Sequence, residues 1–320
     1  MAVTTSLAQP GELTEITGFC AKWLTADQRY FELRLAHDPT MLRERILVAR
    51  DGDTLVSTVR LFDIGIRTGG RTIRCGGVGD VCTHGEWRNR GLATILLNEI
   101  HRLAREDGYP LTALTSEYHD FYRRSGYECW DRRGTIFTLR DIPGAPPGSV
   151  RNIDFTGDQS LLREIYSSWT GRLAAYPVRP PEFWTHHHEW TALYPGEDHS
   201  LALTAGNRAY ARCTSHGGAL RVIEFGCLPG TLEAGVRELA NALVREAVSR
   251  KGGRIRIPAV CTELTAILEG HSYKKEADND LSLMFRITDP AGLEGTSGGH
   301  SGPDAPFPPP GAHFWETDGW

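Results

Sequence analysis

The sequence predicts a mixed α/β protein made of two similar units in tandem, each a mixed, mostly antiparallel sheet flanked by helices. The chain has 320 residues, which corresponds to about two domains of ordinary size. Apolar runs of strand length and one long amphipathic helix follow the same order in both halves. Proline and glycine are concentrated at residues 142–149. We therefore expect units at residues 1–141 and 150–288, joined by this linker and followed by a tail at 289–320.

In the first half, short apolar runs bounded by turn residues predict strands. These strands are Ile46–Ala49, Thr54–Leu61, Ile64–Ile66, Thr72–Cys75 and Gly76–Thr83. A helix is expected to start near Gly91 and to stop at Gly108, because apolar residues from Leu92 to Leu103 recur at helical spacing. The remaining elements are a strand at Leu111–Leu114, a short helix at Glu117–Arg124 and a closing strand at Thr135–Leu139.

The second half repeats this order of elements. Its apolar runs lie at Val150–Ile153, Leu201–Thr204, Ala209–Cys213, Leu220–Cys227, Ile255–Ile257 and Leu281–Ile287. Helical patterns lie at 161–172, 181–193 and 231–250. The two halves share a pattern of elements but little sequence, so the second unit is predicted as a degenerate copy of the first.

Charge and cysteine content argue against several classes of protein. A net charge of −5 disfavours a nucleic-acid binder, whose affinity would come from neutralising phosphates. The seven cysteines are scattered without a Cys-x-x-Cys pair, which disfavours a disulfide framework or a zinc site. No apolar run reaches the roughly 18 residues of a membrane span. The first residues do not resemble a signal peptide. A cytoplasmic protein is therefore expected.

The tail has an unusual composition. Residues 289–320 contain five acidic residues and no lysine or arginine, and they are rich in glycine and proline. This composition alone is typical of disorder. The tail nevertheless ends in an aromatic cluster of Phe314, Trp315 and Trp320. Because burying large rings could offset the entropy of ordering, we expect residues 304–320 to dock on the chain, with docking on a neighbouring subunit as the alternative.

The segment Arg88–Ala93 lies between a predicted strand and a predicted helix. Free N–H groups in the first turn of a helix bind anions, and a glycine such as Gly91 lets the backbone approach an oxygen closely. Arg88 and Arg90 add cations that suit a diphosphate. The spacing Arg-x-x-Gly-x-Ala resembles the pyrophosphate loop of GCN5-related N-acetyltransferases (GNATs). On its own, this short pattern also fits an ordinary strand-to-helix turn.

A second segment strengthens the resemblance. Tyr122 follows Gly91 by 31 residues, within Asp120–Glu128. This segment is similar to the helix and strand that close the acyl-CoA site of GNAT enzymes. The stretch from Val81 to Tyr127 resembles the N-terminal domain of the enhanced-intracellular-survival (Eis) acetyltransferases. Glu164–Trp169 and Arg179–Trp184 resemble the opening helices of that family's second domain. Mycothiol synthase, another two-domain relative, resembles the chain less, because its working loop lies in the second half.

The resemblance implies two tandem GNAT folds and an acyl-CoA-dependent N-acyltransferase. Acetyl-CoA is the expected co-substrate, without a metal. The expected acceptor is an amine on a small molecule, such as an aminoglycoside, a peptide antibiotic or a specialised metabolite, which attacks directly in a ternary complex. Protein or peptide N-acetylation and a non-catalytic CoA-liganded sensor remain alternatives. No nucleic-acid or membrane partner is expected, and a homo-oligomer is possible. The sterol-carrier-like third domain of Eis is not expected, because the tail is too short.

Site residues follow from the same resemblance. The expected acyl-CoA contacts are Val81, Cys82, Thr83, Arg88, Asn89, Arg90, Gly91, Leu92, Ala93 and Thr94. At residues 81–83 only the backbone is assigned a role, since the Cys82 sulfur is interpreted as a small buried hydrophobe. Tyr122 is the expected general acid, because a phenol can protonate the departing thiolate. The carboxylate of Trp320 is a hypothetical acceptor of the ammonium proton.

The sequence does not identify the general base. The acids that could lie near the acceptor are Asp27, Glu32, Asp63, Asp80 and Glu117, each also explained as a solvated surface acid. The run His186–Glu189 does not predict a metal site, because consecutive helical positions point about 100° apart. These histidines are expected on the surface, where they could line an acceptor cleft.

The corresponding turn of the second half, Cys227–Glu233, lacks the arginines of the first turn. It also places Glu233 where a diphosphate would be repelled. Acyl-CoA is therefore expected in the first unit alone.

Overall fold

A computed structural model describes residues 3–140, 150–193, 198–230, 235–250, 252–294, 307–309 and 311–315. The predicted linker at 142–149, Glu233 and Trp320 lie outside these residues. None of the helices in the described ranges is long and apolar enough to cross a membrane.

The first half contains four helices and seven strands among its described residues. In chain order they are β1 (Val3–Leu7), α1 (Leu13–Leu24), α2 (Gln28–His37), β2 (Met41–Asp51), β3 (Thr54–Thr68), β4 (Arg71–Thr83), α3 (Leu92–Glu106), β5 (Leu111–Thr115), α4 (His119–Arg123), β6 (Glu128–Cys129) and β7 (Gly134–Leu139). The predicted helix after Gly91 is confirmed as α3, which ends before Gly108 (φ +77°). The predicted runs on either side of Phe62 form one continuous strand, β3, which spans Thr54–Thr68.

The second half has a related order. Its elements are β8 (Val150–Asn152), α5 (Gln159–Thr170), β9 (Ala175–Val178), α6 (Phe183–Thr191), β10 (Asp198–Ala205), β11 (Ala209–His216), β12 (Ala219–Cys227), α7 (Gly235–Ser249), β13 (Arg254–Pro258), α8 (Thr262–Glu269), β14 (Ser272–Asp278) and β15 (Leu283–Ile287). Three single 3-10 turns, at Pro10–Glu12, Gly85–Trp87 and Ala291–Leu293, complete the described elements.

The two sheets exchange strands. The first has the order β1-β2-β3-β4-β5-β15-β6, with β9 added beside β3, and the second has the order β14-β7-β13-β12-β11-β10-β8. The strand expected to close the first unit, Thr135–Leu139, was therefore assigned to the wrong sheet, because β7 pairs with β13 and β14. Likewise, Leu281–Ile287 does not complete the second unit, because β15 pairs with β5. Strand pairing depends on distant partners, which the alternation within one strand does not reveal.

Each sheet has a long helix packed against it. The apolar face of α3 buries Leu96, Leu97 and Ile100, and that of α7 buries Leu239 and Leu243. All five side chains have no exposed surface. Burying a side chain of this size contributes roughly 1.5–3 kcal/mol.

The described part of the tail docks between the halves. Phe314 packs with residues of the first sheet, and Trp315 packs in the core of the second. Both are almost fully buried, at 1% and 2% exposure. The backbone N–H of His313 donates to the carbonyl of Ala175, at 2.9 Å, which fixes the tail beside β9. Docking within residues 307–315 therefore agrees with the expectation for the tail, whereas the position of Trp320 is not described.

Candidate functional site

The strands β4 and β5 run parallel and then part. They pair from Cys75 with Leu111 to Gly77 with Ala113. Beyond these rows no further pair joins them, within a stretch that is described throughout. The ladder between β3 and β4 shifts over the same stretch, because Thr58 opposes Cys82 and Arg60 opposes Gly79. This bulge bends β4 away from β5 and leaves a gap between their carboxyl ends.

The bulge is fixed by a buried ion pair. Asp80 has φ +51°, in the left-handed region that Asp tolerates better than most residues. The Arg60 Nε atom lies 2.8 Å from Asp80 Oδ2, with side-chain exposures of 1% and 9%. The interpretation of Asp80 as a solvated surface acid was therefore wrong. A local pattern could not show this, because the guanidinium that pairs with Asp80 comes from the neighbouring strand.

The start of α3 is open. Gly91 is the N-cap with φ +78°, and among the described residues no side chain caps the first turn. A Cβ atom built on Gly91 would meet nothing within 4 Å. The first bond within the helix runs from Ile95 N to Gly91 O, at 3.0 Å, so the N–H groups of residues 92–94 have no partner in the helix. Arg88 and Arg90 are exposed beside them. This arrangement suits an anion.

Tyr122 lies on α4 inside the apolar cluster shared by α3 and the first sheet. Its residue exposure is 7%, and its ring contacts Phe121 and Tyr127, with centroids 4.9 and 6.0 Å away. Burial raises the pKa of the Tyr122 phenol to about 12, although a hydrogen bond with Ser116 opposes the shift. The phenol is therefore protonated at neutral pH and can act as a proton donor.

The end of β4 presents different groups to its two faces. Val81 packs toward the cluster that contains Tyr122, whereas Cys82 packs on the face covered by α1. Cys82 Sγ lies 4.0 Å from Cys20 Sγ. The contact with Cys20, followed by burial, raises the pKa of the Cys82 thiol well above its ordinary value. This agrees with the interpretation of the sulfur as a buried apolar group.

Three aromatic rings lie beside the loop at Arg88–Gly91, and the sequence analysis did not identify them. Trp23 from α1 lies 4.3 Å from His84, and His84 lies 4.8 Å from Trp87, between ring centroids. We call Trp23, His84 and Trp87 the ring cluster. His84 and Trp87 follow β4 closely in the sequence, so their position beside the loop could have been predicted. Trp23 could not, because only the packing of α1 brings it to the loop.

The acids proposed as bases have local partners or lie in solvent. Asp27 accepts from Arg29 N as the cap of α2, and Asp63 accepts from Arg74. Glu32 accepts from the amide of Gln28. Glu117 is exposed. The structure therefore singles out none of them as the base.

The histidines of α6 are not all on the surface, which corrects the expectation. His187 is 5% exposed, and Arg212 donates to its Nδ1 at 3.1 Å. His186 stacks on His37 at 4.0 Å and bonds with Glu189. Within the described residues, no group of three or more metal-ligating side chains occurs.

A cavity of about 840 Å³ lies at a different place, between the edge of the first sheet and the tail. Its walls include Trp130, Phe285, Phe307 and Phe314. It shares no lining residue with the expected acyl-CoA site.

A family model for an acetyltransferase (GNAT) domain matches residues 8–130. This range contains the bulged strand β4, the loop at Arg88–Gly91 and Tyr122. Residues 8–130 are therefore similar to a GNAT acetyltransferase domain. The chain is also similar to the N-acetyltransferase Eis of Mycobacterium tuberculosis, with 28% identity over 153 residues. The aligned region covers 43% of this chain and 38% of Eis. The chain therefore spans less than half the length of this curated relative.

Solved structures show the same fold over most of the chain. A protein of Enterococcus faecalis V583, described as a probable N-acyltransferase, matches 92% of this chain and 74% of its own, with a TM-score of 0.69 and 14% identity. Eis1 from Mycobacterium abscessus matches 91% of this chain and 76% of its own, with a TM-score of 0.59 and 14% identity. These similarities concern the fold, and they confirm the prediction of two tandem GNAT folds.

Proposed function

We propose that this protein is an acyl-CoA-dependent N-acyltransferase that transfers an acetyl group from acetyl-CoA to an amine of a small molecule. Aminoglycosides, peptide antibiotics and other specialised metabolites are the proposed acceptor classes. The observation that carries the proposal is the buried Tyr122, which packs in the same cluster as Val81 of β4 and the first turns of α3. We place the reaction in the cytoplasm, since all seven cysteines are free.

In this proposal acyl-CoA binds the first unit. Its diphosphate accepts hydrogen bonds from the N–H groups of residues 92–94, and Arg88 and Arg90 pair with its charge. Its pantetheine arm enters the gap between β4 and β5, along the backbone of residues 81–83. The uncapped turn at Gly91 supports the first contact, and the parting of β4 from β5 supports the second.

The reaction is a direct attack on the thioester. A neutral amine of the acceptor forms a bond with the carbonyl carbon, the carbon–sulfur bond breaks, and the electron pair leaves on sulfur. Tyr122 then donates its phenolic proton to the thiolate, which is a step typically worth 10²–10⁴-fold in rate. The acylated nitrogen releases its extra proton to solvent, and the Tyr122 phenolate takes up a proton in turn, so the neutral amide, the thiol and the phenol result. The proton of the attacking ammonium must leave before the attack. We retain the Trp320 carboxylate as its proposed acceptor, although that residue lies outside the described ranges.

A screen of acceptors tests the proposed function. The protein is incubated with acetyl-CoA or a longer acyl-CoA and with a panel of aminoglycosides, basic peptides and simple amines, and free thiol is followed. Mass spectrometry of the acceptor must show one added acyl group. Thiol release with acylated peptides alone would favour the peptide N-acetyltransferase alternative. CoA binding without any acylated product would favour the sensor alternative.

A further inference from the structure

The ring cluster lies on the surface where α1 meets the loop after β4. Its three rings are partly exposed. Trp23 packs so closely on the loop that a Cβ on Gly85 would lie 2.9 Å from its ring. The cluster is therefore a built feature, because its central contact requires a glycine at position 85.

Cations surround the rings. Lys22 Nζ lies 4.9 Å from the centroid of Trp23, and the Arg88 guanidinium lies 5.8 Å from the same ring. The Arg90 guanidinium lies 5.6 Å from the ring of Trp87. Glu86, which is exposed, is the acidic residue of this loop. Lys22, Arg88 and Arg90 thus outnumber the acid, and the local charge is positive.

The cluster continues the proposed acyl-CoA site. Arg88 Nε donates to the carbonyl of Thr83, at 3.3 Å, so one side chain joins the end of β4 to the ring cluster. CoA carries its pantetheine arm on one side of the diphosphate and its 3′-phosphoadenosine on the other. If the arm runs along β4, the nucleotide extends beyond the end of that strand, where the loop carries the rings.

We infer that the ring cluster binds the 3′-phosphoadenosine end of CoA. This inference rests on the proposed function, because it requires CoA to bind at Gly91. An adenine ring, with an anionic phosphate on the attached ribose, matches a surface of aromatic rings with flanking cations. The rings offer stacking to adenine, and Lys22 with Arg88 offers charge-assisted bonds to the 3′-phosphate.

The test compares CoA with dephospho-CoA, which lacks the 3′-phosphate, by calorimetric titration. The wild-type protein is expected to bind CoA about tenfold more tightly, as a charge-assisted bond implies. Lys22→Gln should reduce this ratio several-fold and leave the affinity for dephospho-CoA nearly unchanged. Trp23→Leu should weaken both ligands, and Trp23→Phe should restore part of the loss if stacking is responsible.

Arg102→Gln is the matched control. Arg102 is an exposed arginine on α3 that pairs with Glu99 and Glu106, beyond the first turn. This variant should keep the wild-type ratio of affinities. Circular dichroism and thermal melting of each variant identify any loss of fold.

The outcomes distinguish failure of the proposed function from failure of the inference about the ring cluster. If neither ligand binds the wild-type protein, the proposed function itself is wrong. If CoA binds but the wild-type protein does not distinguish it from dephospho-CoA, the inference is overturned and the function is not. An unchanged ratio in a folded Lys22→Gln protein would also overturn it, since the cluster would then serve only to pack α1 on the loop.

Discussion

The two sheets contain the same local arrangement at their centres. In the first, Arg60 of β3 pairs with Asp80 beside the bulge of β4. In the second, Arg212 of β11 lies 3.6 Å from Glu224 of β12, and the register between these strands shifts at the same place. Each bulged strand also has a parallel neighbour that pairs with it in a few rows, two of them between β12 and β13.

The arrangements differ in the groups that surround the bulged strand. In the second sheet, Glu224 is fully buried and also accepts from Arg179 and Tyr210. Trp315 of the tail packs in the core of the second sheet, where it borders a small cavity together with Ile223 of β12 and Pro258 of β13. In the first sheet, the gap leads to the uncapped turn at Gly91. The comparison teaches that the same bulge can stand beside an uncapped helix with one buried ion pair, or be enclosed by a network of buried polar groups and a docked tail residue.

The largest expected effect is a loss of catalytic rate that only the first sheet should show. Tyr122→Phe should slow acetyl transfer by about 10²–10⁴-fold, because the departing thiolate loses its proton donor. The measurement is kcat at saturating acetyl-CoA with the acceptor found by screening. Tyr210→Phe, a buried tyrosine of the second sheet, is the control and should keep the rate of the folded enzyme. Wild-type turnover in Tyr122→Phe would mean that another group protonates the thiolate.

The next prediction concerns Trp315, which is buried in the core of the second sheet. Trp315→Ala should lower the free energy of unfolding by about 3–5 kcal/mol, because it leaves a large cavity in the core. Urea denaturation measures this loss. The stoichiometry of CoA should remain one per chain, since the turn after β12 lacks the arginines. A second CoA bound to the variant would show that Trp315 alone closes that site.

A truncation tests the rest of the tail. Ending the chain after Thr317 keeps both docked rings, removes the Trp320 carboxylate and leaves the new terminal carboxylate two residues beyond the buried Trp315. If that carboxylate accepts the ammonium proton, the rate with the acceptor should fall by about 10²-fold or more, with unchanged CoA affinity and unchanged stability. Full activity of the truncated protein would remove Trp320 from the mechanism.

A matched pair of glycines compares the two turns directly. Gly91 and Gly230 have φ +78° and +75°, and a Cβ on either would meet nothing within 4 Å. Gly91→Asp should weaken CoA binding by about tenfold or more, because it adds a negative charge beside the diphosphate. Gly230→Asp brings the same backbone strain to the second turn and should leave CoA affinity unchanged. Equal losses in calorimetry would contradict the assignment of the first turn.

The smallest expected effect is on acid stability. Burial lowers the pKa of His101, on α3, and of His313, in the tail, to about 3. The unfolded chain binds these protons near pH 6.5, so stability is complete above that pH and decreases as the pH falls toward 3. Between pH 7 and 5, each histidine should cost about 2 kcal/mol. His313→Gln should flatten the dependence of the unfolding free energy on pH, and an equally steep dependence would contradict the assignment.

Much of the fold could be predicted from the sequence because its signals are local. The spacing of apolar residues in α3 and the glycine at its start identify the helix and its first turn, whatever the rest of the chain does. The same holds for the strands up to Thr83, whose apolar runs lie between turn residues. Tyr122 could be selected because it lies at a family spacing from Gly91.

Only the tertiary structure decided which distant groups meet. The exchange of β7 and β15 between sheets, the ion pair that buries Asp80, and the packing of Trp23 on Gly85 each join residues far apart in the chain. Such contacts depend on the shape and charge of a partner that local periodicity does not contain. The sequence therefore determined the helices, the strands and the open turn, whereas packing determined the exchange of strands, the burial of Asp80 and the docking of Trp315 in the core of the second sheet.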